Sequence, residues 1–240
     1  MLNMLKAVFF DLDGTLLPMD QDEFVKHYFS AMAKRFEPLG YDPKKFQKAI
    51  WGAIAEEVKN DGSRTNWDVF WDYFASVFGE ESRKDNDVFE DYYRTEFQNV
   101  KDVCGYSPRS KEIVTMLREH GCKVVLATNP IFPQIATDSR IRWAGMEPED
   151  FDIVTYMENT GLTKPNLDYF RYLLDKVRVK PEECIMVGND VDEDMIASEL
   201  GMKVFLVNHF IINRAEKDIS IYPTGDLNDL KEFLEKEMCQ

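Results

Sequence analysis

The chain has 240 residues and a mass of 28.0 kDa, enough for one large domain or for a domain that carries a smaller one. Its 44% hydrophobic and 30% charged residues are typical of a folded globular protein and exclude the disordered and fibrous classes. The 29 basic and 44 acidic residues give a net charge of −15, which repels a phosphate backbone, so we expect no nucleic acid partner. If the substrate is a small anion, local cations must overcome this field.

The sequence favours a cytoplasmic protein without a membrane partner. The apolar run at residues 7–10 stops at Asp11, far short of the roughly 20 residues that span a bilayer. The N-terminus does not have the pattern of a secretory signal peptide, and the four cysteines form no C-x-x-C pair. The oligomeric state stays open.

Short apolar runs alternate with helical patterns along most of the chain. Between two of these runs, Phe170, Leu173, Leu174 and Val177 have the i, i+3, i+4, i+7 spacing of an amphipathic helix. Strands that alternate with helices through right-handed crossovers form a doubly wound parallel sheet, so we predict an α/β fold. The predicted strands are residues 7–10, 123–127, 152–156, 185–187 and 204–207.

Residues 19–100 have a different character, because they contain helical patterns and no convincing strand. They hold 17 of the 31 aromatic residues, which favours a separate aromatic core. We predict one α/β domain formed by residues 1–18 and 101–240, and an inserted helical bundle formed by residues 19–100. The four patterns are Phe24, Tyr28, Met32 and Phe36; Phe46, Ile50, Ala53 and Ile54; Trp67, Phe70, Trp71 and Phe74; and Phe89, Tyr92, Tyr93 and Phe97.

The first predicted strand ends in the motif D-L-D-G-T-L, which begins at Asp11. Asp11 and Asp13 therefore follow the carboxyl end of a parallel strand, which is where an open α/β sheet binds its ligands. Asp-Gly is also common in turns, so this motif alone leaves both a turn and a functional site open.

Two more strands run into polar residues. The second leads into residues 128–130 (Thr-Asn-Pro), whose hydroxyl and amides suit either an anion or a helix cap. The fourth leads into residues 188–190 (Gly-Asn-Asp) and then into Asp192, Glu193 and Asp194 at the start of a predicted helix. Acidic residues in a first turn stabilise a helix, so that alternative stays open for these three, as does an N-cap for Asp190.

Lys164 precedes a proline, which disfavours a helical backbone at the lysine and places it on an extended loop. A lone lysine on a loop is usually a solvated charge. Here, however, the four features follow one another in the chain at the same end of successive strands or on adjoining loops. Their common location favours a functional site.

These four motifs resemble those of the haloacid dehalogenase superfamily. In particular, the chain is similar to the phosphatases with an aspartate nucleophile and a helical cap inserted after the first motif, the phosphoglycolate phosphatase-like members of subfamily I. The resemblance covers essentially the whole chain and implies a Rossmann-like core with residues 19–100 as the cap. The matching segments are D-L-D-G-T-L at residues 11–16, Thr128, Lys-Pro at residues 164–165, and G-N-D-x-x-x-D at residues 188–194.

The resemblance implies a magnesium-dependent hydrolase that removes phosphate from a small phosphorylated metabolite. Asp11 would attack phosphorus and form an aspartyl-phosphate. Asp13 would act as general acid toward the leaving alcohol and then as general base toward water. Mg²⁺ would be held by the carboxylates of Asp11 and Asp190 and the backbone carbonyl of Asp13.

The remaining motif residues would bind phosphate or support the site. Lys164 would neutralise part of the anion, and Thr128 with the amide of Asn129 would hold phosphoryl oxygens. Asp194 would arrange the metal shell or hold the lysine, with helix stabilisation as the alternative. Asn189 departs from the commoner G-D-D form and puts a secondary metal ligand in doubt.

Asp13 also helps to choose among relatives, since dehalogenases of this superfamily lack the second aspartate. A phosphosugar mutase with the same aspartyl-phosphate chemistry, and a non-catalytic ligand-binding protein on the same fold, are the alternatives to a phosphatase. The four catalytic residue types argue against the second. Which metabolite is cleaved stays open, because specificity depends on cap loops. The candidates for substrate contact, each of which could instead be solvated, are Lys59, Arg64, Asn66 and Trp67.

Overall fold

In the computed structural model, which describes residues 4–239, a parallel sheet forms the centre of the α/β part of the chain. The strand order within the described residues is β3-β2-β1-β4-β5-β6. This arrangement confirms the predicted α/β fold. The strands are β1 (Ala7–Phe10), β2 (Lys123–Leu126), β3 (Ile153–Val154), β4 (Cys184–Gly188), β5 (Lys203–Val207) and β6 (Thr224–Gly225).

The register of the sheet brings the polar segments together. Phe10, the last residue of β1, aligns with Leu126 of β2 on one side and with Val187 of β4 on the other. The loops that follow these three strands therefore leave the sheet at one edge. β1 is also the strand on which the order reverses direction, which is the position where open α/β sheets bind ligands.

Helices cover both faces of the sheet. Successive residues of β1 point to opposite faces, so Val8 and Phe10 pack in one apolar cluster with α5, whereas Ala7 and Phe9 pack in another with α7. All four β1 side chains are fully buried, as expected for a central parallel strand. The helices are α1 (Gln21–Phe36), α2 (Pro43–Val58), α3 (Asn66–Phe78), α4 (Asn86–Arg94), α5 (Pro108–Glu119), α6 (Gln134–Trp143), α7 (Leu167–Val177) and α8 (Leu227–Met238).

Most of these helices begin at a side chain that caps free backbone N–H groups. Asp20 accepts from the amides of residues 22 and 23 at the start of α1, and Thr65 accepts from residue 68 at the start of α3. Ser107 caps α5 with Pro108 at its first position, as the sequence predicts. In residues 4–239 no helix is both long and apolar enough to cross a membrane.

Helices α1–α4 share an aromatic core. The ring centroids of Phe36 and Phe89 are 4.4 Å apart, those of Phe36 and Phe46 are 4.7 Å apart, and Phe74 packs against the same group. Each of these phenylalanines is at most 5% exposed, and burial of such a side chain contributes roughly 1.5–3 kcal/mol. The assignment of residues 19–100 to a separate cap domain stays a prediction.

Two local expectations were wrong, and one strand was not predicted. Phe97 lies beyond α4, in a 3₁₀ segment (Glu96–Val103), although it still packs in the aromatic core. After Asp190 the chain forms turns and a short 3₁₀ helix (Met195–Leu200) instead of an α-helix. Strand β6 was not predicted, because its two residues, Thr224 and Gly225, show no apolar pattern.

A pH-dependent stability is expected from Glu57 in α2. Its carboxylate oxygens are buried and have no hydrogen-bond partner within the described part of the chain. Burial raises the pKa of this carboxyl well above its ordinary value of 4.5. The folded protein then retains a proton that the unfolded chain releases, so the stability from this group is complete below pH 4.5 and declines as the pH rises toward the raised pKa.

We expect Glu57→Gln to abolish this decline. Relative to the variant, the wild type should lose about 1.4 kcal/mol of unfolding free energy per pH unit above about pH 5, measured by urea denaturation. Glu56→Gln is the matched control, because Glu56 precedes Glu57 in α2 and lies at the surface beside Lys59. Parallel pH profiles for wild type and Glu57→Gln would contradict the prediction.

Candidate active site

Asp11 follows β1 at the edge of the sheet where the polar loops meet. Its backbone N–H donates to the carbonyl of Val187 at 2.9 Å, which continues the pairing of β1 with β4 by one residue. Its carboxylate accepts from Lys164 Nζ through Oδ1 at 2.8 Å and from the Thr15 hydroxyl through Oδ2 at 3.3 Å. The side chain is 10% exposed, so the Asp11 carboxylate is nearly buried and is held in place at this edge of the sheet.

Lys164 is the buried cation of this site, with a side chain 1% exposed. Its ammonium contacts Asp11 Oδ1 at 2.8 Å and Asp194 Oδ1 at 2.6 Å. Burial alone lowers the pKa of a lysine, but the negative charges of Asp11 and Asp194 outweigh it and raise the pKa of Lys164 well above its ordinary value. The residue is therefore a permanent positive charge, rather than the solvated loop lysine that was the alternative.

The loop of Lys164 is held by the segment that follows β2. Asn129 accepts from the Lys164 N–H through Oδ1 at 3.1 Å and donates through Nδ2 to the Lys164 carbonyl at 3.3 Å. Thr128 is 2% exposed, and its carbonyl accepts from the hydroxyls of Thr155 and Tyr169 at 2.7 and 2.9 Å. Thr128 and Lys164 thus lie on two loops that are fixed against each other.

Asp194 is fully buried and accepts three hydrogen bonds. The donors are Lys164 Nζ at 2.6 Å and the backbone N–H groups of Asn189 and Asp190 at 3.1 and 3.0 Å. Its side chain does not cap the 3₁₀ helix that follows. A Cβ at Gly188 would lie 2.1 Å from Asp194 Oδ2, so glycine at that position makes room for this carboxylate. Asp194 therefore holds the lysine to the loop after β4.

The two carboxylate oxygens of Asp190 have different contacts. Oδ1 accepts from the backbone N–H groups of Asp192 and Glu193 at 2.8 and 2.9 Å. Asp190 therefore caps the turn that follows it, which was the alternative to a functional role. Oδ2 has only a long contact, 3.4 Å, to Arg214 in the described residues. One oxygen of Asp190 is therefore available to another cation.

Asn189 joins the loops that follow β1 and β4. Its Oδ1 accepts from the Thr15 hydroxyl at 3.0 Å, and its Nδ2 donates to the Phe210 carbonyl at 2.7 Å. Gly14 adopts a positive φ of 85°, and a Cβ there would lie 2.3 Å from Asn189 Nδ2. The side chain at position 189 thus has a structural role in this chain, where the sequence analysis considered only a lost metal ligand.

Asp13 pairs with Arg140, a residue that the sequence analysis missed. The Arg140 guanidinium donates to Asp13 Oδ2 from α6 and is fully buried. Burial raises the pKa of Asp13, with the positive charge of Arg140 opposing this rise. A signal was present, because Arg140 lies four residues from both Ala136 and Ala144 and so on the buried face of its helix.

The four candidates for substrate contact occupy two kinds of position. Lys59 and Arg64 lie at the surface and pair with Glu56 and Asp72 at 2.8 and 2.6 Å. Asn66 and Trp67, the first two residues of α3, instead connect this helix to the α/β part of the chain. Asn66 is fully buried and donates through Nδ2 to the Pro130 carbonyl at 3.0 Å, directly after Asn129. The Trp67 N–H donates to the Met157 carbonyl at 2.8 Å. All four remain predictions as substrate contacts.

A cavity of about 690 Å³ lies between helices α2–α4 and the segment that follows β2. Phe132 lines this aromatic cavity, and its ring centroid lies 4.2 Å from the Arg140 guanidinium that contacts Asp13. Phe132 and Arg140 therefore connect the wall of this cavity to Asp13. Its aromatic lining also includes Tyr28, Trp67, Phe70, Trp71 and Tyr93.

Comparisons with known proteins identify the family of this chain. The family model "haloacid dehalogenase-like hydrolase" matches residues 5–199. The chain is 29% identical over 240 residues to a glyceraldehyde 3-phosphate phosphatase of Methanothermobacter thermautotrophicus, which covers 96% of this chain and 100% of that protein. It is 27% identical over 251 residues to a ribulose-1,5-bisphosphate 5-phosphatase of Halopiger xanaduensis, covering 95% and 99%. A solved HAD phosphatase from Thermococcus onnurineus shares the fold, with a TM-score of 0.60, 21% identity and coverage of 96% and 98%.

The contacts of Asp194 predict a loss of activity that a helix-stabilising residue would not produce. Asp194→Asn replaces one acceptor oxygen by a donor, so it cannot accept from Lys164 and from both backbone N–H groups. We expect a loss of about 10- to 100-fold in the rate of p-nitrophenyl phosphate hydrolysis. Asp192→Asn is the matched control, because Asp192 lies in the same acidic run and pairs with Lys217 at the surface. Equal losses in the two variants would refute a specific role for Asp194.

Proposed function

This chain belongs to the haloacid dehalogenase-like hydrolases and removes phosphate from a small phosphorylated metabolite; we propose that Asp11 is the nucleophile and Mg²⁺ the cofactor of this reaction. The proposal rests above all on the carboxylate of Asp11, which lies at the switch point of the sheet with Lys164 Nζ 2.8 Å away. A phosphate dianion that approaches a carboxylate is repelled by it. A buried ammonium beside that carboxylate lowers the repulsion where the bond to phosphorus must form.

Asp11 would attack phosphorus while the ester bond to the leaving oxygen breaks, which gives an aspartyl-phosphate and the free alcohol. Asp13 would donate the proton that the leaving oxygen needs. In the second half of the reaction Asp13 would take a proton from water as the water attacks the phosphoryl group, and Asp11 would be released. Thr128 and the Asn129 amide, at the end of β2, are our candidates for contact with the phosphoryl oxygens.

We infer that oxygen atoms at this edge of the sheet hold Mg²⁺. In residues 4–239 no cluster of three or more Asp, Glu, His or Cys side chains could hold a metal ion. A site for Mg²⁺ would therefore combine the carboxylates of Asp11 and Asp190 with the Asp13 carbonyl and water, the hard oxygen donors that this ion prefers. Oδ2 of Asp190 has only a long contact with Arg214, at 3.4 Å, among the described residues, and this supports the assignment. When bound, the ion would offset charge on the phosphoryl group.

For the substrate we propose a small phosphorylated compound that enters between the helical and α/β parts of the chain. The names of the two relatives give glyceraldehyde 3-phosphate and ribulose 1,5-bisphosphate as their substrates, and both are small phosphorylated compounds. Asn66 contacts the Pro130 carbonyl, and residues 131–135 line the aromatic cavity, so we propose that the start of α3 contacts the leaving group. We further propose a cytoplasmic location.

The assignment of the nucleophile predicts that Asp11→Asn loses activity by about 10³-fold or more. The measurement is phosphate release from p-nitrophenyl phosphate and from a panel of phosphorylated metabolites, each with Mg²⁺ and with a chelator. Asp168→Asn, at an exposed position in the first turn of α7, is the control for replacing an aspartate by an amide. We expect the chelator to abolish wild-type activity and added Mg²⁺ to restore it.

The proposed aspartyl-phosphate can be tested by stopping the reaction during turnover and measuring the phosphate bound to the protein. Wild-type protein quenched during turnover should carry one phosphoryl group that is lost at high pH, and Asp11→Asn should carry none. Activity of Asp11→Asn equal to that of wild type would overturn the assignment. Conversion of a hexose 1-phosphate to the 6-phosphate, in place of phosphate release, would identify the mutase alternative.

A further inference from the structure

Arg140 is a charged side chain buried in the α/β part of the chain, and one of its contacts reaches another element. Nε donates to the Ala136 carbonyl at 3.4 Å and a terminal nitrogen donates to the Thr137 hydroxyl at 3.2 Å, both within α6. The other terminal nitrogen donates to Asp13 Oδ2 in the loop after β1. A buried guanidinium is costly unless it is paired, so the Asp13 contact is a strong one.

The two oxygens of Asp13 have different surroundings. Oδ2 is held by Arg140, whereas Oδ1 is buried and has no hydrogen-bond partner among the residues that the structure describes. A buried carboxylate oxygen without a partner costs free energy, and a catalytic role is one explanation for such an atom. In a proton-transfer residue, the group that contacts this oxygen is the leaving oxygen or the attacking water.

We propose that Arg140 is a positioning residue for proton transfer: it holds Asp13 by Oδ2 so that Oδ1 faces the leaving oxygen. This inference rests on the proposed phosphatase function. In the first step the Asp13 proton passes from Oδ1 to the leaving oxygen as the phosphorus–oxygen ester bond breaks. In the second step water attacks the aspartyl-phosphate, its proton passes to Oδ1, and the bond between Asp11 and phosphorus breaks.

Phe132 and Thr137 fix the guanidinium itself. The Phe132 ring lies against one face of the guanidinium at 4.2 Å, which restricts its rotation and adds a cation–π attraction. Thr137 occupies the nitrogen that does not contact Asp13. Arg140, Thr137 and Asp13 lie outside the helices α1–α4, whereas Phe132 also packs against Tyr28 of α1, with ring centroids 5.4 Å apart.

The leaving group separates positioning for proton transfer from a structural role. An alkoxide is a poor leaving group and needs the proton, whereas p-nitrophenolate leaves without one. For Arg140→Met we expect the single-turnover rate of phosphoryl transfer from an alkyl phosphate, the fastest in the metabolite panel, to fall about 100-fold. The burst of p-nitrophenolate from p-nitrophenyl phosphate should fall less than about 10-fold. Steady turnover of both esters should slow, since Asp13 also serves the water step.

Four further variants complete the experiment. Asp13→Asn should show the same leaving-group pattern, and Asp13→Asn combined with Arg140→Met should lose little more than Asp13→Asn alone, because the two residues act as a unit. Arg140→Lys, which keeps the charge, should recover part of the alkyl phosphate rate. Arg171→Met, at an exposed site in α7, controls for replacing an arginine.

Equal losses of the alkyl phosphate rate and the p-nitrophenolate burst in Arg140→Met, with an unchanged melting temperature, would overturn the inference. If Arg140→Met does not fold, Arg140→Lys is tested alone, and equal losses for the two esters would refute it. Failure of the proposed function is a separate result, in which wild type hydrolyses neither ester or Asp11→Asn remains active.

Discussion

The site depends on one buried ammonium that is shared by two carboxylates from different strand ends. Lys164 Nζ is within 2.8 Å of both Asp11 and Asp194, and all three side chains are at least nine-tenths buried. Loss of the Lys164 ammonium would leave two buried carboxylates without a counter-charge, and breaking a buried ion pair in this way typically costs about 3–5 kcal/mol. The loops that carry these residues are therefore held together by charge, and the Asp11 carboxylate acquires a fixed direction as a result.

The sheet is what makes this arrangement possible. The loop of Asp11 follows β1, the loop of Asp194 follows β4, and the register places the ends of these strands side by side. Asn129, after β2 on the other side of β1, then ties down the backbone of Lys164. Short loops are enough to bring these residues together, because parallel strands with aligned carboxyl ends place the loops that follow them at one edge of the sheet.

The sequence revealed those parts of the site that lie next to a strand. Asp11 and Asp190 follow short apolar runs typical of buried strands, so the sequence pattern alone predicts that they share one edge of the sheet. Asp13 and Arg140 are 127 positions apart, and no local pattern states that they meet. Similarly, Glu57 lies on the buried face of α2, but its lack of a partner among the described residues is a property of packing. Side-chain pairing across elements is set by tertiary packing, and sequence periodicity gives only the face on which each residue lies.

A net charge of −15 opposes the binding of a phosphate ester, yet this chain removes phosphate from a small phosphorylated metabolite. The conflict disappears once distance and burial are considered. Exposed acidic groups act through water and salt, which screen them beyond about 8–10 Å. Lys164, Arg140 and Arg214 each lie against a carboxylate of the site, and two of them are buried where the dielectric is low. Charges at contact distance in a buried site outweigh a larger number spread over a solvated surface. These three cations would then form a local positive region on an otherwise acidic protein. A small anion can reach that region alone, whereas a polyanion would also lie against the surrounding acidic surface and be repelled by it.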